Sequence, residues 1–146
     1  ARHCAMTFLL DTNVISEVTR PQPNEGVVGW LSGQSSESLF ISVITLGELH
    51  RGALLLGAGK KRRELLRWIE TGIKTDFAGR IVPVDPVVME CWAQLEATTA
   101  KKGRRLPVMD SLIAATALAH DLTLVTRNLA DFKAAGVLLL DPWVGD

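Results

Sequence analysis

The chain has 146 residues, enough for one domain with a buried core, and its 47% hydrophobic content sets it apart from disordered chains. Sixteen basic and sixteen acidic residues cancel, which argues against a wide, unspecific phosphate footprint. No apolar run approaches the roughly 18 residues of a membrane helix, so no membrane association is expected.

Residues 1–5 carry neither a starting methionine nor an apolar signal core. They are read as a cloning remnant or a disordered extension, with Met6 as the natural start. Setting them aside leaves Cys91 as the single cysteine, which excludes an internal disulfide and fits a reducing cytoplasm. Thr7 to Leu10 is a short apolar run and predicts a buried strand ending at Asp11. Asn13 to Thr19 predicts a helix closed by Arg20-Pro21. Asn24 is a cap for a second helix reaching about Ser32. Leu39 to Ile41 predicts a second strand, after which Ser42 caps a long helix through Leu56, stopped by Gly57 and Gly59. Lys60 to Phe77 continues as an amphipathic helix with Leu65, Leu66, Ile69 and Ile73 on one stripe. This pair of helices is expected to project as a clamp-like hairpin. Arg80 to Val84 predicts a third strand and Val87 to Lys102 a helix.

After a polar break, Asp110 to His120 predicts an alanine-rich helix, small enough to pack tightly under a sheet. Thr123 to Thr126 predicts a fourth strand, Asn128 to Ala135 a short helix, and Val137 to Leu140 a last strand. Short apolar strands alternating with helices mean an α/β domain, a parallel sheet of about five strands flanked by helices on both faces. Half of the basic residues sit in two clusters, Lys60-Lys61-Arg62-Arg63 and Lys101-Lys102 with Arg104-Arg105. Each is either a solvated helix end or a contact for RNA phosphates or an acidic partner.

In open parallel sheets, ligands bind at the carboxyl ends of the strands. Asp11 ends the first strand, Glu48 lies about two turns into the helix after the second, Asp110 opens the alanine-rich helix, and Asn128 follows the fourth strand. Asp11, Asp110 and Asn128 each have a plain alternative as helix caps. Glu48 is expected on a largely buried face, where a lone carboxylate needs a cation, a proton or a metal. Two carboxylates ~4 Å apart repel by ~4 kcal/mol at an effective dielectric of 20. An oxygen-only set suits Mg2+ or Mn2+, and with no His or Cys in it zinc is disfavoured. His50 and His120 are isolated and read as surface or packing residues. A haloacid-dehalogenase-like phosphatase needs a second Asp where Asn13 stands. A receiver domain needs a Lys where Arg127 stands.

The run Leu9-Leu10-Asp11-Thr12-Asn13-Val14-Ile15-Ser16-Glu17, followed by Arg20-Pro21, resembles the opening of PIN-domain toxins of the VapC family. Ser42 to Leu49 is similar to their second acidic motif, Asp110 with Ile113 to Ala117 to the third, and Leu124 to Asn128 with Phe132 to the fourth. Phe77-Ala78-Gly79-Arg80-Ile81 and Asp141-Pro142-Trp143 point to the FitB-like subgroup. The resemblance implies a single PIN domain over residues 6–146. It further implies the toxin of a type II toxin–antitoxin pair, an endoribonuclease that cleaves single-stranded RNA with Mg2+ or Mn2+. Its implied partners are a VapB- or FitA-like antitoxin, which also carries the pair onto operator DNA, and a second copy in a homodimer. Carried over by position, Asp11, Glu48 and Asp110 match the acidic metal ligands and Thr126 a hydroxyl beside them. Asn128 departs from the pattern where FitB-like proteins carry a fourth Asp, with Asp131 as a substitute or a cap. The neutral Asn128 keeps an alternative open, a catalytically weak protein acting mainly in a repressor complex.

Overall fold

The computed structural model describes residues 6–143, so the expectation for residues 1–5 lies outside the described residues. Five strands form one parallel sheet: β1 (Phe8–Leu10), β2 (Leu39–Ser42), β3 (Ile81–Val82), β4 (Thr123–Val125) and β5 (Leu139–Leu140), in the order β3-β2-β1-β4-β5. The first strand in sequence is central in space. It pairs with β2 in the register Phe8↔Leu39 and with β4 in the register Phe8↔Thr123.

Strand alternation divides the core. Leu9 and Leu124 point to one face, where they meet Leu95 of α6 (Pro86–Lys101) and Ile113, Ala114 and Ala117 of α7 (Val108–Ala119). Phe8, Leu10, Ile41 and Val125 point to the other. There they meet Val14 and Ile15 of α1 (Thr12–Glu17) and Val27 of α2 (Glu25–Ser32). The alanines let α7 lie close to the sheet, and the Trp92 indole donates to Ser111 Oγ at 3.0 Å, tying α6 to it.

Several helix starts follow their caps. Asn24 accepts from Val27 N, Ser42 accepts from Thr45 N to start α3 (Val43–Leu55), and Asp85 accepts from Val88 N to start α6. Three features depart from expectation. The helix over 60–77 is not regular: α4 (Lys60–Arg67) runs into a π-helical turn at Trp68–Ile73 and then α5 (Lys74–Asp76). The third strand is shorter than Arg80 to Val84 because Pro83 has no N–H to continue the ladder. The alanine-rich helix begins at Val108, after Pro107, so Asp110 is its third residue and not its cap. The remaining short helix, α8 (Leu129–Phe132), follows β4 and leads through a 3-10 turn at Lys133–Ala135 into β5.

Candidate active site

The carboxyl edge of the sheet gathers the acidic residues. Asp11 follows β1 directly, and its backbone N–H donates to Val125 O at 2.9 Å, extending the β1–β4 ladder by one step. The backbone turns there from strand into α1, so the Asp11 side chain is trapped under the helix start and is 4% exposed. Its Oδ1 accepts from Thr12 N and its Oδ2 from Thr126 Oγ1, both at 2.8 Å. Burial pushes the Asp11 carboxyl above its usual range, the two hydrogen bonds pull it back, and the charge of Glu48 pushes it up again.

Glu48 reaches the same edge from α3. Thr12 Oγ1 donates to Glu48 Oε1 and lies 3.2 Å from Thr45 Oγ1, which is itself fully buried. Glu48 is half-buried rather than on a largely buried face, because α3 runs along the rim of the sheet, where one side of the helix meets solvent. Asp110 arrives from the first turn of α7 and is also half-buried. Its carboxyl is pushed up to about 6, first by burial, then by the charges of Asp11, Glu48 and Asp131. The structure thus brings Asp11, Glu48 and Asp110 within electrostatic reach of one another.

Thr126 closes the site from below. Its buried hydroxyl accepts from Asn13 Nδ2 at 3.3 Å and from Asn128 N at 3.1 Å. Asn128 itself touches the site only through its backbone; its side chain is exposed and makes no cap. Asp131, from the first turn of α8, is the fourth acid that Asp110 senses, and it does not occupy the cap position. His50 and His120 are exposed, in keeping with surface roles. The contributions of Thr12, Thr45 and Asn13 were not singled out from sequence. The signal was present in the triplet Asp11-Thr12-Asn13, whose second and third residues point polar groups back toward other elements.

Among the described residues no lysine or arginine forms an ion pair with the cluster; the pairs there are Arg20–Glu17, Lys60–Glu64 and Lys74–Glu70. Also among the described residues, no three His, Cys, Asp or Glu side chains stand close enough to hold one ion between them. The donor set is nevertheless all oxygen and short of positive charge, which fits a hard divalent cation. Mg2+ commonly takes only one or two carboxylates and keeps several waters.

Beside the acids runs a trough. A cavity of about 290 Å³ is lined by Thr12, Glu48, Leu49, Lys61 and Trp68 among others. A second of about 550 Å³ shares Lys61, Leu65 and Trp68 with it and adds Val18, Arg20 and Pro21. A third of about 510 Å³ shares Val18 and Trp68 and extends to Leu31, Leu39, Phe77 and Arg80.

The model of the PIN domain family matches residues 8–138. The chain is 46% identical to Toxin FitB of Neisseria gonorrhoeae over 136 residues, 93% of this chain and 98% of that one. It is 37% identical to VapC ribonuclease Y4jK of Sinorhizobium fredii over 93% of this chain and 97% of that one. Its fold superposes on a crystal structure of FitAcB from Neisseria gonorrhoeae with a TM-score of 0.89 at 45% identity, covering 94% and 99% of the two chains. A DNA-bound VapBC structure from Salmonella typhimurium is similar at a TM-score of 0.79 and 26% identity, covering 94% and 99%.

Proposed function

The chain belongs to the PIN-domain family, and from that premise we propose that it is the toxin of a type II toxin–antitoxin pair, a divalent-metal-dependent endoribonuclease acting on single-stranded RNA. The observation that carries this reading is the acid cluster at the carboxyl edge of the sheet, three carboxylates from three elements with no cationic side chain among the described residues paired to them. Relatives at 37% and 33% identity are named ribonucleases, which supports the reaction class.

Asp11, Glu48 and Asp110 would hold the cation, Mg2+ or Mn2+, one or two of them directly and the rest through its waters. When bound, such an ion supplies positive charge against the phosphodiester and lowers the pKa of an attacking water. The chain's own part is positioning. Thr12 and Thr126 fix the carboxylates of Glu48 and Asp11, which removes rotational freedom before substrate arrives. Asp131 compensates the neutral Asn128 as a fourth negative group, which weighs against the catalytically weak alternative.

An antitoxin would bind along the trough from Glu48 past Trp68 toward Arg80. The relatives solved as FitAB and VapBC complexes, some with DNA, support a protein partner that carries the pair onto its operator. Arginine on an antitoxin arm suits the unpaired carboxylates, in bidentate fashion. Leu49 and Leu56 line this trough, whereas Leu54 and Leu55, 45% and 69% exposed, do not. A homodimer would cover the exposed Val43, Val108 and Met109 beside the site. No described helix is long and apolar enough to cross a membrane, and a cytoplasmic location belongs to the same proposal.

The test is cleavage of a labelled single-stranded RNA by the purified chain with Mn2+, Mg2+ or EDTA. Cleavage with either metal and none with EDTA is expected. Metal-independent cleavage, or none under any condition, would overturn the assignment.

A further inference from the structure

Asn13 is the second residue of α1, and its amide is committed to the turn after β4. Its Nδ2 donates to Thr126 Oγ1 at 3.3 Å, and its Oδ1 accepts from Arg127 N at 3.5 Å. The amide cannot be turned over without loss: Arg127 N–H is only a donor and needs the oxygen, which leaves the nitrogen for Thr126. Thr126 Oγ1 also accepts from Asn128 N at 3.1 Å. A hydroxyl has one proton and two lone pairs. Here two N–H donors fill the lone pairs, so the single proton is directed at Asp11 Oδ2, 2.8 Å away. The other Asp11 oxygen accepts from Thr12 N. Both oxygens are therefore acceptors, each on a fixed donor, and the carboxylate plane is set.

We infer that Asn13 is a positioning residue, which aims the Thr126 hydroxyl and through it holds the Asp11 carboxylate in place for a divalent cation. The inference rests on the metal-dependent reading of the site. Without Asn13 one lone pair of Thr126 is vacant, the hydroxyl regains rotational freedom, and the turn from 126 to 128 loses its tie to α1. Asn13 touches neither the cation nor the substrate in this scheme, so its effect must pass through Thr126.

The experiment is a double-mutant cycle with Asn13→Ala and Thr126→Val. It reads Mn2+ binding to the chain without RNA by calorimetry, kcat and KM for a single-stranded RNA, and the melting temperature. Loss of an outer partner of a metal ligand typically lowers metal affinity or activity about 10- to 100-fold. Each single variant is expected to bind Mn2+ about tenfold more weakly and to lose kcat with KM little changed. The double variant should be no worse than Thr126→Val alone. If alanine does not fold, Asn13→Ser replaces it, since a serine hydroxyl is too short to reach both Thr126 and Arg127 and should show the same loss. Mn2+ affinity within twofold of the parent despite a lower melting temperature would make Asn13 merely structural and overturn the inference. Losses that multiply in the double variant would overturn it too. A parent chain that neither binds Mn2+ nor cleaves RNA overturns the metal reading, and this inference with it, whereas a parent that does both with an additive cycle overturns this inference alone.

Discussion

The two faces of the sheet are filled in different ways. Under α6 and α7, Leu9 and Leu124 meet Ile113, Ala114 and Ala117, with side chains at most 1% exposed. Depressions lie at the margins of this face, one of about 380 Å³ between α6 and Ala134–Gly136 and one of about 580 Å³ between α3 and Met109 of α7. Under α1, α2 and α4, Phe8, Leu10, Ile41 and Val125 are buried too, yet Trp68, Leu31, Leu39 and Phe77 remain half-buried around the trough. The difference comes from residue size and helix form. Small residues bring α7 down onto the sheet, whereas the π-helical turn at Trp68–Ile73 breaks the regular register of the helix after α4 and presents an indole to the gap. Beneath its helices one face is finished by the chain itself, whereas the other keeps half-buried apolar side chains around an open trough.

Four experiments break or sharpen this contrast. The largest effect is expected at the acid edge where both faces end. Asp11→Asn should lower RNA cleavage by more than about 100-fold, beyond the loss of an outer partner. Its melting temperature should fall only modestly, because the neutral amide escapes the burial penalty of a carboxylate while its NH2 group must face one of the two donors that Asp11 accepts. Steady-state kinetics with Mn2+ checks this, and retention of a tenth of the activity would detach the edge from catalysis. Next comes the finished face. Leu124→Ala, at a site with 0% exposure, should cost about 2–5 kcal/mol in urea unfolding, with cleavage per folded molecule unchanged. A loss below about 1 kcal/mol would mean that this face is no better packed than the other.

On the open face, Trp68→Ala should weaken binding of the cognate antitoxin by about 30-fold, the size of an interface hot spot near 2 kcal/mol, while destabilising the chain less than Leu124→Ala does. Calorimetric titration beside urea unfolding separates the two, and unchanged affinity would place the partner elsewhere. The smallest effect is at Asp110. Its carboxyl is raised from 3.8 to about 6 in the folded chain. Between those values the folded state holds a proton that the unfolded state has released, so stability falls as pH rises through the window, and the penalty is complete above about 6. Asp110→Asn should therefore melt about 2 °C higher at pH 7 without divalent metal, and no higher at pH 3, a small gain because solvent screens a half-exposed group. Equal melting at both values would remove the electrostatic cluster.

Much of the fold was legible because the apolar runs at Phe8–Leu10, Leu39–Ser42 and Thr123–Val125 are short and bounded by caps. Asn24, Ser42 and Asp85 announce their helices by side-chain chemistry alone. Asp110 was misplaced as a helix start because Pro107, three residues earlier, supplies the non-helical geometry that a cap residue usually marks. The π-helical turn was hidden since Leu65, Leu66, Ile69 and Ile73 satisfy an ordinary helical stripe whether or not one residue is extra. The acids of the site were legible by type and by their place after strands. Thr126 was legible only through the family resemblance, and the supports at Thr12 and Asn13 were not, since their partners come from strand order and helix placement, which local pattern does not carry.

The pairing of β1 with β4 has a temporal meaning as well. Phe8 meets Thr123, and Asp11 receives the Thr126 hydroxyl across 115 residues. A ribosome adding about 5–20 residues per second spends roughly 6–23 s between making those two partners. Through that interval the central strand has only β2 to pair with, to which β3 is later added, and Asp11 lacks both the Val125 carbonyl and the Thr126 hydroxyl that seat it. In a chain made in this order the acid edge takes shape only after residue 126 has been added, an interval in which a co-produced inhibitor can accumulate.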